Sequence, residues 1–219
     1  MVKTAILVSG GGTNLQAILD AHLFGEIQNC ELTAVISSSP DAYAVTRAEN
    51  SRIPVYIIDR EIFPNDTSFS EAVMKKLFDL DIELAVLAGF NHQLEDNFYN
   101  GYHGRVLNVY PALLPAFYSS DVGSLQVHQE VLAFGAKVTG ATAYFAIGGH
   151  APGPILIQKV LPVLDEDTPE TLQQRVLEQC ERQLYPQIVH LYCAGLLTIN
   201  GRHVTIHTAE APAQASPIL

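Results

Sequence analysis

Cationic side chains are scarce in this 219-residue chain: 12 Lys and Arg stand against 23 Asp and Glu, giving a formal net charge of −11 and a pI near 5.0. So acidic a molecule repels a phosphate backbone, which argues against nucleic acid as a main partner. Small anionic ligands stay open, because a helix N-terminus attracts them locally against the global field. Cysteine is equally sparse. Cys30, Cys180 and Cys193 lie far apart with no C-x-x-C spacing, so they read as free thiols or small buried hydrophobes in a reducing compartment. The histidines lack metal-ligand spacing, and no metal is expected. Long apolar runs are missing too: residues 84–90 form one of the longest, far short of the roughly 20 residues a spanning helix needs. Residues 1–4 lead straight into a core strand, unlike a signal peptide. A soluble, cytoplasmic protein without a membrane partner is expected, as monomer or homodimer.

What is present is 48% apolar and 16% charged, the balance of a globular chain long enough for one sizeable core. Short apolar runs alternate with helical patterns through the first two-thirds, which signals parallel βαβ units. Strands are expected at residues 4–8, 32–36, 54–58, 84–88 and 105–109. Helices are expected at 14–23, 42–50 and 68–80, the last with Phe69, Val73, Met74 and Leu77 on one face. After a loop over 111–123 come a helix at 125–134 and two strands, 139–146 and 155–163, expected to bring in an antiparallel pair. Thr168 caps a long helix, with Pro169 at its first position and Glu170 in its first turn. That helix is expected to run to about residue 194, with Pro186 as a kink. A hairpin turns at Asn200 and Gly201. The fold class is α/β, a mostly parallel twisted sheet with helices on both faces. One domain over 1–208 is expected, with a frayed tail at 209–219.

Ser9-Gly10-Gly11-Gly12-Thr13-Asn14 joins a strand to a helix. Glycines there let backbone approach an anion while the helix N–H groups point at it, although a tight turn without a ligand reads the same way. It is neither a G-x-G-x-x-G fingerprint nor a Walker loop. In company it is more telling. Together with Leu15 and Gln16 it resembles the opening of the folate-dependent phosphoribosylglycinamide (glycinamide ribonucleotide) formyltransferases. So do Leu87-Ala88-Gly89-Phe90 and Gly104-Arg105-Val106-Leu107-Asn108-Val109-Tyr110-Pro111-Ala112-Leu113-Leu114-Pro115. Val138-Thr139-Gly140-Ala141-Thr142, Gly153-Pro154-Ile155-Leu156-Ile157-Gln158 and Asp167-Thr168-Pro169-Glu170-Thr171-Leu172 come next in the family's order.

The resemblance implies a Rossmann-like formyltransferase fold and a step of purine biosynthesis. In it a formyl group passes from 10-formyltetrahydrofolate, the cosubstrate, to the amine of glycinamide ribonucleotide. It also implies that Gly11, Gly12, Thr13, Asn14 and Glu181 bind phosphate and ribose, and that Phe90, Asn91, His92, Gln93 and Leu94 line the pterin pocket. The family's catalytic set is Asn, His and Asp, which stabilise the tetrahedral oxyanion and organise proton transfer. Here the Asn is Asn108, the His position holds Tyr110 and the Asp position holds Ala151. A phenol donates a hydrogen bond but carries no positive charge, and alanine offers no carboxylate. Losing one preorganised donor typically lowers the rate on the order of 100- to 1,000-fold. The family's phosphate-clamping Arg aligns with Asp66, with Arg60 near enough to substitute; His150 and Asp121 are candidate replacements for the missing catalytic groups. The expectation is a formyltransferase of weak or absent activity. The alternative is a catalytically silent homologue, a pseudoenzyme that binds a nucleotide, a folate or a protein partner.

Overall fold

The computed structural model describes residues 1–119, 123–148 and 152–208. Strand β1 (Val2–Val8) sits between β2 (Cys30–Ser37) and β4 (Leu84–Leu87). The sheet continues outward through β3 (Val55–Ile57) on one side. On the other it continues through β5 (Val106–Tyr110), β6 (Val138–Phe145) and β7 (Ile155–Pro162). β1 to β5 pair in parallel; β6 runs antiparallel to β5, and β7 antiparallel to β6. The expected strands all form, within a few residues of their expected ends.

The continuous apolar runs of β1 and β4 have their cause in this arrangement, because both faces of a central parallel strand are covered. Ile6 and Val8 join Leu84 and Val86 under α1 (Thr13–Leu23), α6 (Pro169–Val176) and α7 (Arg182–Cys193). Ala5, Leu7, Ala85 and Leu87 face the opposite core, with Phe69, Val73 and Leu77 of α3 (Asp66–Asp79). Burial of one such side chain stabilises the fold by about 1.5–3 kcal/mol relative to exposure. Helix α2 (Tyr43–Asn50) sets Ala44 and Ala48 into the first core, and α5 (Ser124–Phe134) places Val127 and Val131 in different cores. Strand order reverses between β1 and β4, so a crevice opens at the carboxyl ends of the strands, where ligands bind in open α/β sheets.

Three local features differ from the sequence reading. Helix α3 starts at Asp66, because the Asn65 side chain caps it by accepting the Ser68 N–H at 2.9 Å. A short helix α4 (Asp96–Gly101) comes after residues 91–95, where the sequence has no helical periodicity; packing of Phe98 and Tyr102 in the second core holds it. The long terminal helix is interrupted before Pro186: a π-helical turn over Leu177–Glu181 separates α6 from α7. One extra residue in that turn rotates α7 by about 100° relative to a regular continuation of α6. Thr168 caps α6 as read from the sequence, in a reciprocal box with Thr171. The hairpin of β8 (Leu197–Asn200) and β9 (His203–Ile206) forms a separate small sheet. Among the described residues no helix is long and apolar enough to cross a membrane. The tail at 209–219 lies outside the described residues.

Candidate active site

A cleft of about 1200 Å³ occupies the crevice at the ends of β1, β4 and β5. Its floor at one end is the glycine turn. Gly12 has φ +71 and caps α1 without a side-chain bond; a Cβ there would sit 2.7 Å from that of Ala44. Glycine at this position therefore satisfies both the left-handed backbone and the close approach of α2. Arg47 braces the turn from behind, its Nε donating to the Gly11 carbonyl at 2.8 Å and its Nη1 to Gln16 at 3.1 Å. Facing the turn across the cleft is Glu181, placed by the π-helical turn. It is 9% exposed and accepts from Asn14 Nδ2 at 2.8 Å. Burial raises its pKa, partly offset by that hydrogen bond. Asn14 Oδ1 is buried with no partner. An orphaned acceptor beside a carboxylate is suited to ligand hydroxyls, so Gly11, Gly12, Thr13, Asn14 and Glu181 come together as one patch.

At the centre stands Asn108, on the same face of β5 as Tyr110. Its amide orientation is set by the backbone: the Val109 N–H points at Oδ1 from 2.8 Å, which leaves Nδ2 to donate to Tyr144 Oη at 3.0 Å. Tyr144 lies directly opposite Asn108 in the β5–β6 ladder. From α7, buried Tyr185 donates to the Leu87 carbonyl at 2.6 Å and comes within 3.5 Å of Asn108 Oδ1. Burial pushes the Tyr144 and Tyr185 phenols upward, so both stay protonated at neutral pH.

Tyr110 has a different employment. Its hydroxyl donates to the Phe117 carbonyl at 2.9 Å, lies 3.3 Å from that of Ser119, and accepts the Ser119 N–H at 2.9 Å. It thus anchors the loop after β5 instead of presenting a free donor. Thr142 and Gln158 hold the same loop lower down: Thr142 Oγ1 accepts from Leu114 N–H and donates to the Ala112 carbonyl, while Gln158 Nε2 donates to the Leu114 carbonyl.

The third wall is residues 90–94. Phe90 stacks on Phe69 at 6.1 Å between ring centroids, with His92 edge-on to both, and Asn91 N–H donates to Ser9 Oγ at 2.9 Å. Gln93 and Leu94 complete the segment, all five residues lining the cleft. His92 titrates below its usual range because of burial, with the Arg60 guanidinium adding to the effect. Arg60 does not reach the cleft lining. Its Nε and Nη2 both bond Asp66 Oδ1, at 3.0 and 2.9 Å, so the charge expected to stand in for the family's arginine is neutralised by the residue at that arginine's own position. Among the described lining residues there is no Lys or Arg, whereas Glu95, Asp96 and Glu181 are present.

Asp121, His150 and Ala151 lie outside the described residues. The sequence reading had overlooked Tyr144, Tyr185 and Asp96. Period-two alternation in the expected strand at 139–146 puts Thr142 and Tyr144 on one face, but only the antiparallel register assigns Tyr144 to Asn108. Asp96 packs against the end of the described stretch before position 149: a Cβ on Gly148 would lie 2.8 Å from its Oδ1. Among the described residues no cluster of His, Cys, Asp or Glu is suited to hold a metal ion.

The formyl transferase family model matches residues 2–189, from β1 through most of α7. The phosphoribosylglycinamide formyltransferase of Haemophilus influenzae is 34% identical over 199 residues, 91% of each chain. The trifunctional purine biosynthetic protein adenosine-3 of Gallus gallus is 34% identical over 198 residues, 90% of this chain and 19% of that protein. Among solved structures, glycinamide ribonucleotide transformylase 1 from Symbiobacterium toebii superposes with a TM-score of 0.88 at 36% identity, covering 95% of each chain. This chain belongs to the formyl transferase family, on its phosphoribosylglycinamide formyltransferase branch.

Proposed function

We propose that the chain binds glycinamide ribonucleotide and 10-formyltetrahydrofolate in this cleft and transfers the formyl group far more slowly than its relatives. One observation carries the reading: the residues the resemblance assigns to substrate and folate line one cavity, while the Tyr110 hydroxyl, at the position the resemblance gives the family's histidine, is engaged by the loop backbone. In the reaction the amine nitrogen forms a bond to the formyl carbon, and the carbonyl electron pair moves onto oxygen. Collapse of that oxyanion breaks the bond to N10 of the folate, which gains a proton as the amine loses one. Asn108 supplies an amide donor near the reacting carbon, and Glu181 with Asn14 holds the ribose hydroxyls. Among the described residues no imidazole or carboxylate bonds Asn108, so in this reading the proton moves through water or through His150 or Asp121, which lie outside the described residues.

The test is a formyl-transfer assay on the unmodified chain and on a Tyr110→His, Ala151→Asp double variant. The unmodified chain is expected to run on the order of 100-fold or more below the Haemophilus influenzae relative. The double variant is expected to gain. Turnover at the relative's rate would overturn the impairment. A second reading, a silent binding homologue, is favoured by the Arg60–Asp66 pair, which withdraws the nearby candidate for a phosphate-clamping cation. A double variant that binds both substrates yet stays inactive would select it.

A further inference from the structure

Asn108 Nδ2 donates to the Tyr144 hydroxyl, whose own hydrogen bonding is half used. Tyr144 Oη accepts from Asn108 Nδ2 at 3.0 Å. Among the described residues nothing accepts its proton. The side chain is buried yet lines the cleft, so the proton's remaining direction is toward a ligand. Accepting a bond polarises the phenol, because a hydroxyl whose oxygen is an acceptor becomes a stronger donor. The other Asn108 amide hydrogen points about 120° away from the first, in the plane of the amide. Oδ1 faces the Val109 N–H and the Tyr185 hydroxyl, two donors that favour this orientation of the amide. Asn108 thus aims and polarises Tyr144 from a fixed position. Tyr110 differs on every count, since its hydroxyl both donates to and accepts from the loop.

We infer that Tyr144, polarised by Asn108, donates a hydrogen bond from its hydroxyl to the formyl oxygen of the bound folate and is the hydroxyl that meets the oxyanion. The assignment rests on the reading of the cleft as a formyl-folate site. It makes Tyr144 a neutral stand-in for the missing cationic donor, able to hold the oxygen but not to move a proton, in keeping with slow transfer.

Equilibrium binding tests it without needing turnover. Affinity is measured for a folate carrying the 10-formyl group and for the same folate without it, on the unmodified chain, Tyr144→Phe and Tyr144→His. One neutral hydrogen bond corresponds to a preference of up to about tenfold for the formyl compound. That preference is expected in the unmodified chain, to fall within about twofold in Tyr144→Phe, and to return in Tyr144→His through its ring N–H. Unchanged affinity for the formyl-free folate reports that the Phe variant is folded. A preference that survives in Tyr144→Phe, or equal affinities in the unmodified chain, overturns the assignment alone. If the unmodified chain binds neither folate at millimolar concentration, the reading of the cleft falls and the assignment with it.

Discussion

Glu181 carries an energetic conflict at the level of a single side chain. It is buried beside the glycine turn with Asn14 as its hydrogen-bond donor, and its pKa is raised. A carboxylate whose folded pKa lies above its unfolded value contributes stability below the unfolded pKa and loses it as pH rises through the folded one. Ionising the buried group therefore lowers stability, a strain tolerated where ligand hydroxyls need a strong acceptor. Glu181→Gln keeps an acceptor for Asn14 and removes the charge. It is expected to raise the thermal midpoint by about 2–4 °C, the equivalent of about 1 kcal/mol in a chain of this size, while weakening nucleotide binding about tenfold. Calorimetry with nucleotide titration checks both; a lower midpoint would contradict the conflict. The residue types at this site were readable in sequence, because Asn14 stands in the glycine-turn motif and the family resemblance points to Glu181. The pairing across 167 positions was not.

Among the elements, the β8–β9 hairpin has a task its sequence does not announce. Arg202, beside the hairpin turn, donates through Nη2 to the carbonyl of Pro152 at 3.0 Å and lies 3.4 Å from that of Gly153. It thereby holds Pro152 and Gly153, the first described residues after position 151. Arg202→Ala removes a charge-assisted bond worth about 1.5–3 kcal/mol, less here because the arginine is exposed. Faster amide exchange at residues 153–156 is expected, with little change in α1 or α3. Exchange unaltered there would show that the hairpin merely rests against Pro152 and Gly153. The missed helix α4 is the complementary case: its six residues lack a helical stripe, and it exists because Phe98 and Tyr102 enter a core supplied by α3 and β5.

For the whole molecule, the two cores on either side of the sheet provide the stability, and one buried histidine sits among them without a partner. His128 in α5 is fully buried, neither ring nitrogen has a hydrogen-bond partner among the described residues, and desolvation lowers its pKa to about 4. Above pH 6.5 the ring is neutral whether the chain is folded or not. Between 6.5 and about 4 the unfolded chain binds a proton that the folded chain refuses, so stability falls as pH falls across that window and levels off below it. The full loss is about 3 kcal/mol. His128→Leu is expected to flatten this dependence and to stabilise the fold at neutral pH by about 1 kcal/mol. Urea unfolding from pH 7 to 4.5 decides it, and equal slopes for both proteins would mean that the histidine stays neutral for another reason or is solvated.

The sequence alone determined the parallel sheet, since β1 and β4 are apolar on both faces and such runs have no place except between two layers of helices. It also determined the glycine turn, where side chains fit neither the backbone of Gly12 nor the contact with Ala44, and the capped start of α6, whose reciprocal bonds lie within four residues. These are local or face-wide properties, written wherever composition and short spacing suffice. Only the tertiary structure decided which tyrosine stands free at the centre. Tyr110 and Tyr144 are both aromatic residues at strand ends, alike in composition and in burial. What separates them is whether the hydroxyl finds backbone partners nine residues away or an amide 36 residues away. A hydrogen bond depends on distance in space, and the antiparallel register that sets this one is a product of the whole sheet.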